Sequence, residues 1–326
     1  MSLNVAVVGA GMAGLSCASR LIELGHRVQV VEKSRGPSGR MSTRRTEFWE
    51  CDHGAQYFTA TDPAFQKAVA EWIAQGVAAP WTPRLMVFGD RAGSQERADP
   101  GAITRFVGTP RMTSPGQFLA ARLDIQTNIR IAGIAPSGSR WELIDVEKTV
   151  IAEGFDAVIL AVPAPQIPPI VVQHPPVWMH EVQTIEMLPC WALMAEVDQA
   201  GTAAFDAAFV NEGPLSWIAN NSTKPGRGKA PMWTIHASPR WTQEHLLAQP
   251  EDVTPMLVQA FQSCTGLTVV DATAHRWLYS LPKTKSDIGC LWDPALGLGA
   301  CGDWLLGGKV QGAWLSGRAC ADRITA

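Results

Sequence analysis

The sequence predicts an α/β protein: a parallel-sheet unit built from both ends of the chain, joined to a second unit of mixed strands and helices. Three observations predict it. The apolar run Leu3–Val8 breaks at Gly9 and passes through a Gly-rich turn into a helical pattern. The same order of strand, Gly-rich loop and helix returns over 298–323. Between the two ends, strand and helix patterns alternate with no internal repeat and no low-complexity tract.

Composition agrees with a packed core. Of 326 residues, 46% are hydrophobic and only 17% charged, which excludes a disordered chain. A net charge of −3 excludes nucleic-acid binding through bulk positive charge. Seven cysteines without a C-x-x-C pair argue against a disulfide framework or a zinc ribbon. They fit a reducing, cytoplasmic setting. No apolar run reaches the length of a membrane span, and the N-terminus lacks the basic start of a signal peptide.

Taken in order, Leu3–Val8 reads as a buried parallel strand. Leu15, Ala18, Leu21 and Ile22 repeat at helical spacing and stop at Gly25. Val28–Val31 is the next strand and completes a βαβ unit. Asp62-Pro63 starts a helix, with Phe65, Val69, Trp72 and Ile73 as its apolar face and Gly76 as its end. Residues 84–107 carry hairpin signals around Gly89-Asp90 and Ala92-Gly93. A short helix runs from Ser114-Pro115 towards Leu123, and Ile129–Ile134 and Arg140–Val146 pair across Ser137-Gly138-Ser139. Asp156–Val162 is a second buried strand. The six prolines of 163–176 mark a crossing between domains. Strands at Ala192–Val197 and Met232–Ala237 and a helix near Asp252–Cys264 follow, then the strand Leu298–Cys301 and a helix from Gln311 to Arg323.

Gly9-Ala10-Gly11-Met12-Ala13-Gly14 is a G-x-G-x-x-G lying between strand and helix. Gly9 permits the tight turn, Gly11 lets backbone approach a pyrophosphate, and Gly14 lets helix and strand pack closely. The helix start at Met12 and Ala13 offers free N–H groups and partial positive charge. Glu32 ends the second strand, where an acid accepts hydrogen bonds from an adenosine ribose and disfavours a 2′-phosphate. The site therefore suits FAD or NAD rather than NADP.

Lys33, Arg35, Arg40, Arg44 and Arg45 follow with no acid among them. Gly39-Arg40-Met41 resembles a pattern of amine-oxidase-type flavoproteins, which have the glutathione-reductase-like FAD fold. That resemblance implies that Arg40 approaches the FAD phosphates, with Lys33 and Met41 beside it. It also implies that Asp303, in Cys301-Gly302-Asp303, meets the ribityl chain and that the backbone of Val310 faces the flavin ring. Ile131 falls where such proteins hold adenine. The implied architecture is a discontinuous Rossmann-like FAD-binding domain (1–60, 108–165 and 277–326). With it goes an α+β substrate domain with a mostly antiparallel sheet (61–107 and 166–276).

A narrower resemblance runs over nearly the whole chain, to renalase and its bacterial relatives. It rests on Lys33-Ser34-Arg35-Gly36, on Asp52-His53-Gly54-Ala55-Gln56-Tyr57-Phe58-Thr59 and on Pro189-Cys190-Trp191-Ala192. Further matches are Trp233-Thr234-Ile235-His236-Ala237, His275-Arg276-Trp277-Leu278-Tyr279 and Cys301-Gly302-Asp303-Trp304. Lys309 departs from the arginine common in close relatives. The resemblance implies non-covalent FAD, a dihydronicotinamide dinucleotide and O2 as substrates, and oxidation of the 1,2- and 1,6-dihydro isomers of NAD(P)H with formation of hydrogen peroxide. Such chemistry needs orientation and exclusion of water more than acid–base catalysis. Ala55 and Gln56 are expected at the cofactor. Tyr57, Phe58, Thr59, Cys190, Trp233 and Lys309 are expected at the substrate. Trp191 and Trp233 fit core packing as well as a site roof, and His236 reads either as a scaffold residue or as the candidate catalytic group. No metal site is expected. An FAD-dependent amine oxidase or desaturase and a non-catalytic flavin-binding protein are the other readings.

Overall fold

The computed structural model describes residues 2–89, 103–198 and 203–325. The hairpin expected around Asp90 and Ala92-Gly93 lies outside them.

The first sheet has six strands in the order Leu291–Asp293, Leu298–Ala300, Ala157–Leu160, Asn4–Val8, Arg27–Val31, Asp124–Gln126. All neighbours are parallel except the first pair. Its central strands are buried on both faces, which explains their unbroken apolar sequence. Val5, Val7 and Ile159 face the helices Met12–Glu23 and Val310–Thr325. Ala6, Val8, Val158 and Leu160 face a second cluster containing Trp141, Ile167, Trp178 and Trp304. The two helices meet closely because Gly317 has no side chain; a Cβ there would sit 2.1 Å from the Ala13 carbonyl oxygen.

The second sheet runs Val269–Pro282, Met187–Val197, Met232–Ala237, Leu215–Asn220, Ala207–Val210, Leu85–Phe88. It is antiparallel up to its last pair, which is parallel. Helix Pro250–Thr265 covers one face through Val253, Leu257 and Phe261. A three-stranded antiparallel sheet, 131–155, completes the α/β architecture.

Several expectations change. Helix Pro63–Ala74 forms as the sequence predicts, with Asp62 Oδ1 accepting from Ala64 and Phe65 N–H at 2.8 and 3.1 Å. It packs Phe65, Val69 and Trp72 into the cluster of Leu15 and Trp314, which also holds Leu85 and Trp217 of the second sheet. The strand Val269–Pro282 carries the second sheet past the boundary expected at 276. The proline-rich segment does not cross at once. Ile167, Ile170, Trp178 and Val182 first cover the lower face of the parallel sheet. Ile22 and Ile73, counted on apolar faces, are exposed. No described helix is long and apolar enough to cross a membrane.

Candidate active site

A cleft of about 2130 Å³ opens between the two sheets. Ligand pockets usually measure ~300–1,000 Å³, so this one has room for a dinucleotide and a second molecule.

Its floor is the glycine turn. Gly9 has φ +107°, and a Cβ there would meet the Ala161 carbonyl oxygen at 2.6 Å. A Cβ on Gly14 would lie 1.9 Å from the Gly9 oxygen. Gly11 differs: it lines the cleft, and a Cβ on it would meet no protein atom. Its missing side chain therefore leaves open space for a ligand, not room for a neighbouring chain. Met12 and Ala13 line the cleft at the helix start, whereas Gly14 serves packing alone.

Glu32 closes the far side of this turn. Its Oε2 accepts from Ala10 N–H at 2.7 Å and its Oε1 from Ser34 N–H at 2.8 Å. Each oxygen keeps a lone pair for a ribose hydroxyl. Ser38, at φ 98°, is buried and donates its N–H to the Ala10 carbonyl at 2.8 Å. Gly39 lies against Gly11, where a Cβ would come within 3.2 Å of its Cα. The two loops thus form one cradle. Lys33, Met41, Ala55, Ile131 and Val310 all border the cleft.

Arg40 and Asp303, expected to contact different parts of a cofactor, pair with each other. Arg40 Nη2 donates to Asp303 Oδ1 at 2.5 Å and Nη1 to Oδ2 at 3.1 Å, with a further bond to the Ser280 carbonyl at 2.9 Å. This bidentate pair ties the Gly39-Arg40 loop to the C-terminal turn and to the second sheet.

The opposite wall is the second sheet, and strand alternation decides who reaches it. Ala192 pairs with His236 on one side and His275 on the other, and Cys190 pairs with Trp277. Cys190, His236, His275 and Trp277 line the cleft. Trp191 and Trp233 have the opposite parity. Trp233 packs against Phe205 and Phe261 under the covering helix, so its expected substrate role is corrected to core packing. Phe58 borders the cleft, but its ring packs on Phe65, Trp72 and Phe106. Tyr57, Thr59 and Lys309 line the cleft.

His53 joins this wall, stacked on Trp277 at 5.1 Å and edge-on to His275 at 4.9 Å. Its carbonyl accepts from Trp277 Nε1 at 3.0 Å and lies 3.4 Å from His236 Nε2. Burial lowers the His53 pKa to about 3, helped by His275 and Arg44. Burial also lowers His236 to about 4, and it lowers His275. The three imidazoles are therefore neutral at pH 7. Burial raises the Cys190 thiol to about 12, which makes it a poor nucleophile.

Behind the wall lies a polar network that sequence reasoning missed. Asp52 is fully buried and accepts from Lys224 Nζ at 3.2 Å, Arg227 Nη2 at 2.5 Å, Thr43 Oγ1 at 2.6 Å and Met112 N–H at 3.2 Å. Burial alone would raise the Asp52 pKa, but the charges of Lys224 and Arg227 outweigh it and hold it at about 2. Gln56 belongs to this network rather than to the cofactor site. Its side chain donates to the carbonyls of Asp52 and Gly54 and accepts from Lys224 at 3.0 Å, and it does not line the cleft.

Cys301 is buried beside Cys17 and Cys320, away from the cleft, and all seven cysteines are free thiols. Among the described residues, no group of three or more His, Cys, Asp or Glu side chains is arranged to hold a metal ion.

Comparisons with known proteins agree with the cradle and the fold. A family model described as an NAD(P)-binding Rossmann-like domain matches residues 7–72. Over 87 residues the chain is 36% identical to an L-amino-acid oxidase of Siganus canaliculatus, covering 26% of this chain and 16% of that protein. Over 69 residues it is 39% identical to a 4,4'-diapophytoene desaturase of Staphylococcus haemolyticus, covering 21% and 13%. The chain spans about a sixth or less of the length of these curated relatives. Among solved structures, a protein of Exiguobacterium sp. 255-15, provisionally described as a protoporphyrinogen oxidase, superposes with TM-score 0.75 at 11% identity over 99% of both chains. A single-site variant of putrescine oxidase, redesigned for cofactor binding, gives 0.73 at 13% identity over 100% of this chain and 99% of that one. At these identities the likeness shows a shared fold.

Proposed function

We propose that the protein is an FAD-dependent oxidase acting on the 1,2- and 1,6-dihydro isomers of NAD(P)H. An isomer, O2 and a proton give NAD(P)+ and hydrogen peroxide. FAD is the non-covalent cofactor and, when bound, supplies the two-electron acceptor that passes electrons to O2. The open floor at Gly11, the free lone pairs of Glu32 and the Arg40–Asp303 pair lining the cleft fit such a dinucleotide.

The observation that carries the reading is the chemistry of the wall facing this cradle. It offers Trp277, Tyr57 and three imidazoles held neutral, with no carboxylate from the second sheet. Loss of hydride from a dihydropyridine creates an aromatic ring, so the protein must orient the donor and exclude water rather than remove a proton. Trp277, covered by His53 on one face, provides a flat surface for a nicotinamide ring. His236 and Thr59 offer hydrogen bonds to its amide. Lys309, at the start of the last helix, holds a substrate oxygen or phosphate.

A second reading, oxidation of an amine or amino acid, or a desaturation, is favoured by the relatives named as L-amino-acid oxidase and desaturase. Anaerobic stopped-flow separates the two. Under the first reading, 1,2- or 1,6-dihydro-NAD bleaches the flavin absorbance quickly, and air restores it with peroxide, while benzylamine and ordinary NADH do little. A flavin-loaded protein that neither isomer bleaches would overturn the first reading and send the search to amines.

A further inference from the structure

Arg105 was not legible as a functional residue, and its surroundings are unusual. It lies at the start of the strand Arg105–Gly108, is 7% exposed and lines the cleft. Its Nη1 donates to the Ile103 carbonyl at 3.3 Å, but its buried Nε has no partner. Among the described residues no carboxylate pairs with it. Arg227, equally deep, faces Asp52, and Arg40, Arg84 and Arg111 each hold an acid. A guanidinium taken out of water without a counter-charge is costly to the fold. It is also ready-made for a ligand that brings the charge.

The guanidinium is braced. Its carbon stands 5.3 Å from the centre of the Tyr57 ring, whose other neighbour is Trp217 at 5.5 Å. The Trp217 Nε1 is a second buried donor without a partner. The ring attracts the cation, and of the guanidinium N–H fork only Nη1 has a hydrogen-bond partner among the described residues. A planar fork of this kind suits an oxyanion with two oxygens side by side.

We propose that Arg105, held on Tyr57, is the receptor for an oxyanion of the substrate: a carboxylate or a phosphate. The proposal rests on the reading that this cleft binds substrate, and it adds that the substrate is an anion. A phosphate fits a dinucleotide; a carboxylate fits an amino acid.

The test uses oxidised, flavin-loaded protein and ligands that cannot reduce flavin, so its result does not depend on the electron donor. Binding is followed by calorimetry for two matched pairs, nicotinamide mononucleotide against nicotinamide riboside and benzoate against benzamide. At least one charged member should bind 10-fold or more tightly than its uncharged-tail partner. Preference in the first pair identifies phosphate, and in the second carboxylate. Arg105→Gln should abolish the preference while leaving the thermal midpoint equal or higher, because a buried cation with no acid partner among the described residues is gone. Arg105→Lys should keep part of it. Equal binding within both wild-type pairs overturns the proposal even if Arg105→Gln does not fold. So does a preference that survives Arg105→Gln. If the anion preference holds but no dihydronicotinamide bleaches the flavin, the substrate reading falls and the anion site stands.

Discussion

Asp52→Asn takes away the carboxylate that faces both Lys224 and Arg227, and leaves two cations buried together. Lys224 and Asp52 side chains are both inaccessible to water, and that of Arg227 is nearly so. Removing one partner of such a pair typically costs about 3–5 kcal/mol, because the remaining charge is uncompensated. At about 2.1 cal/mol/K per residue, a chain of 326 residues has an unfolding entropy of about 0.7 kcal/mol/K. The loss then corresponds to a drop of about 4–7 °C in Tm. Lys224→Met should cost less. It leaves Asp52 with Arg227, Thr43 and the Met112 N–H, and it removes the excess positive charge. Thermal melts and urea titrations of both variants, with flavin occupancy recorded, check the order. An Asp52→Asn protein within 1 °C of the parent, or one more stable than Lys224→Met, would refute the argument. The acid limb follows from the same network. The folded pKa of Asp52 is lowered from 3.8 to about 2, so its contribution is full above the unfolded value and is lost as pH falls from about 4 towards 2.

Further outcomes are expected. Gly11→Ala should fold with an unchanged Tm, since its Cβ meets no protein atom, yet retain flavin at least 10-fold less tightly; Gly14→Ala, 1.9 Å from the Gly9 oxygen, should lower Tm instead. Glu32→Ala removes acceptors for two backbone N–H groups, each worth about 1.5–3 kcal/mol to a charged acceptor, and dialysis against buffer should strip its flavin. With His53 at about 3, His236 at about 4 and His275 also lowered from its ordinary value, flavin reduction should show no step near pH 6.5; such a step in stopped-flow rates would contradict the neutral wall. These two lowered values also stabilise the fold above pH 6.5, a contribution lost as pH falls towards them, so acid melts should show a slope beginning near that pH. Lys309→Ala should raise KM more than it lowers kcat in steady-state assays if it holds substrate uniformly.

The glycine cradle was readable because it is local. Glycines at 9, 11 and 14 and the acid at 32 sit within one βαβ unit, and the demands on each come from the turn, the helix start and the strand end. Chain order alone therefore placed them. Asp303 and Val310 were assigned by resemblance; both border the cleft, where Asp303 pairs with Arg40.

The substrate wall was only half readable. Trp233 and His236 look alike as members of one motif, yet strand parity sends Trp233 under the helix and His236 into the cleft. Period-two alternation through Met232–Ala237 is the signal that could have separated them. Gln56 was misplaced because nothing near it in sequence reveals Lys224, which arrives from 168 residues away.

By itself, the sequence determined the central strands of the parallel sheet, the glycine turn, the acid that closes it and the Asp62 helix cap, since these follow from short-range sterics and hydrogen bonding. Tertiary structure alone decided the rest. It brings His53, His236 and His275 to one neutral wall, puts Asp52 between two buried cations and sets Arg105 over Tyr57 with no acid partner among the described residues. These depend on which strands become neighbours and on how much water burial removes, and both are properties of the folded chain, not of any segment of it.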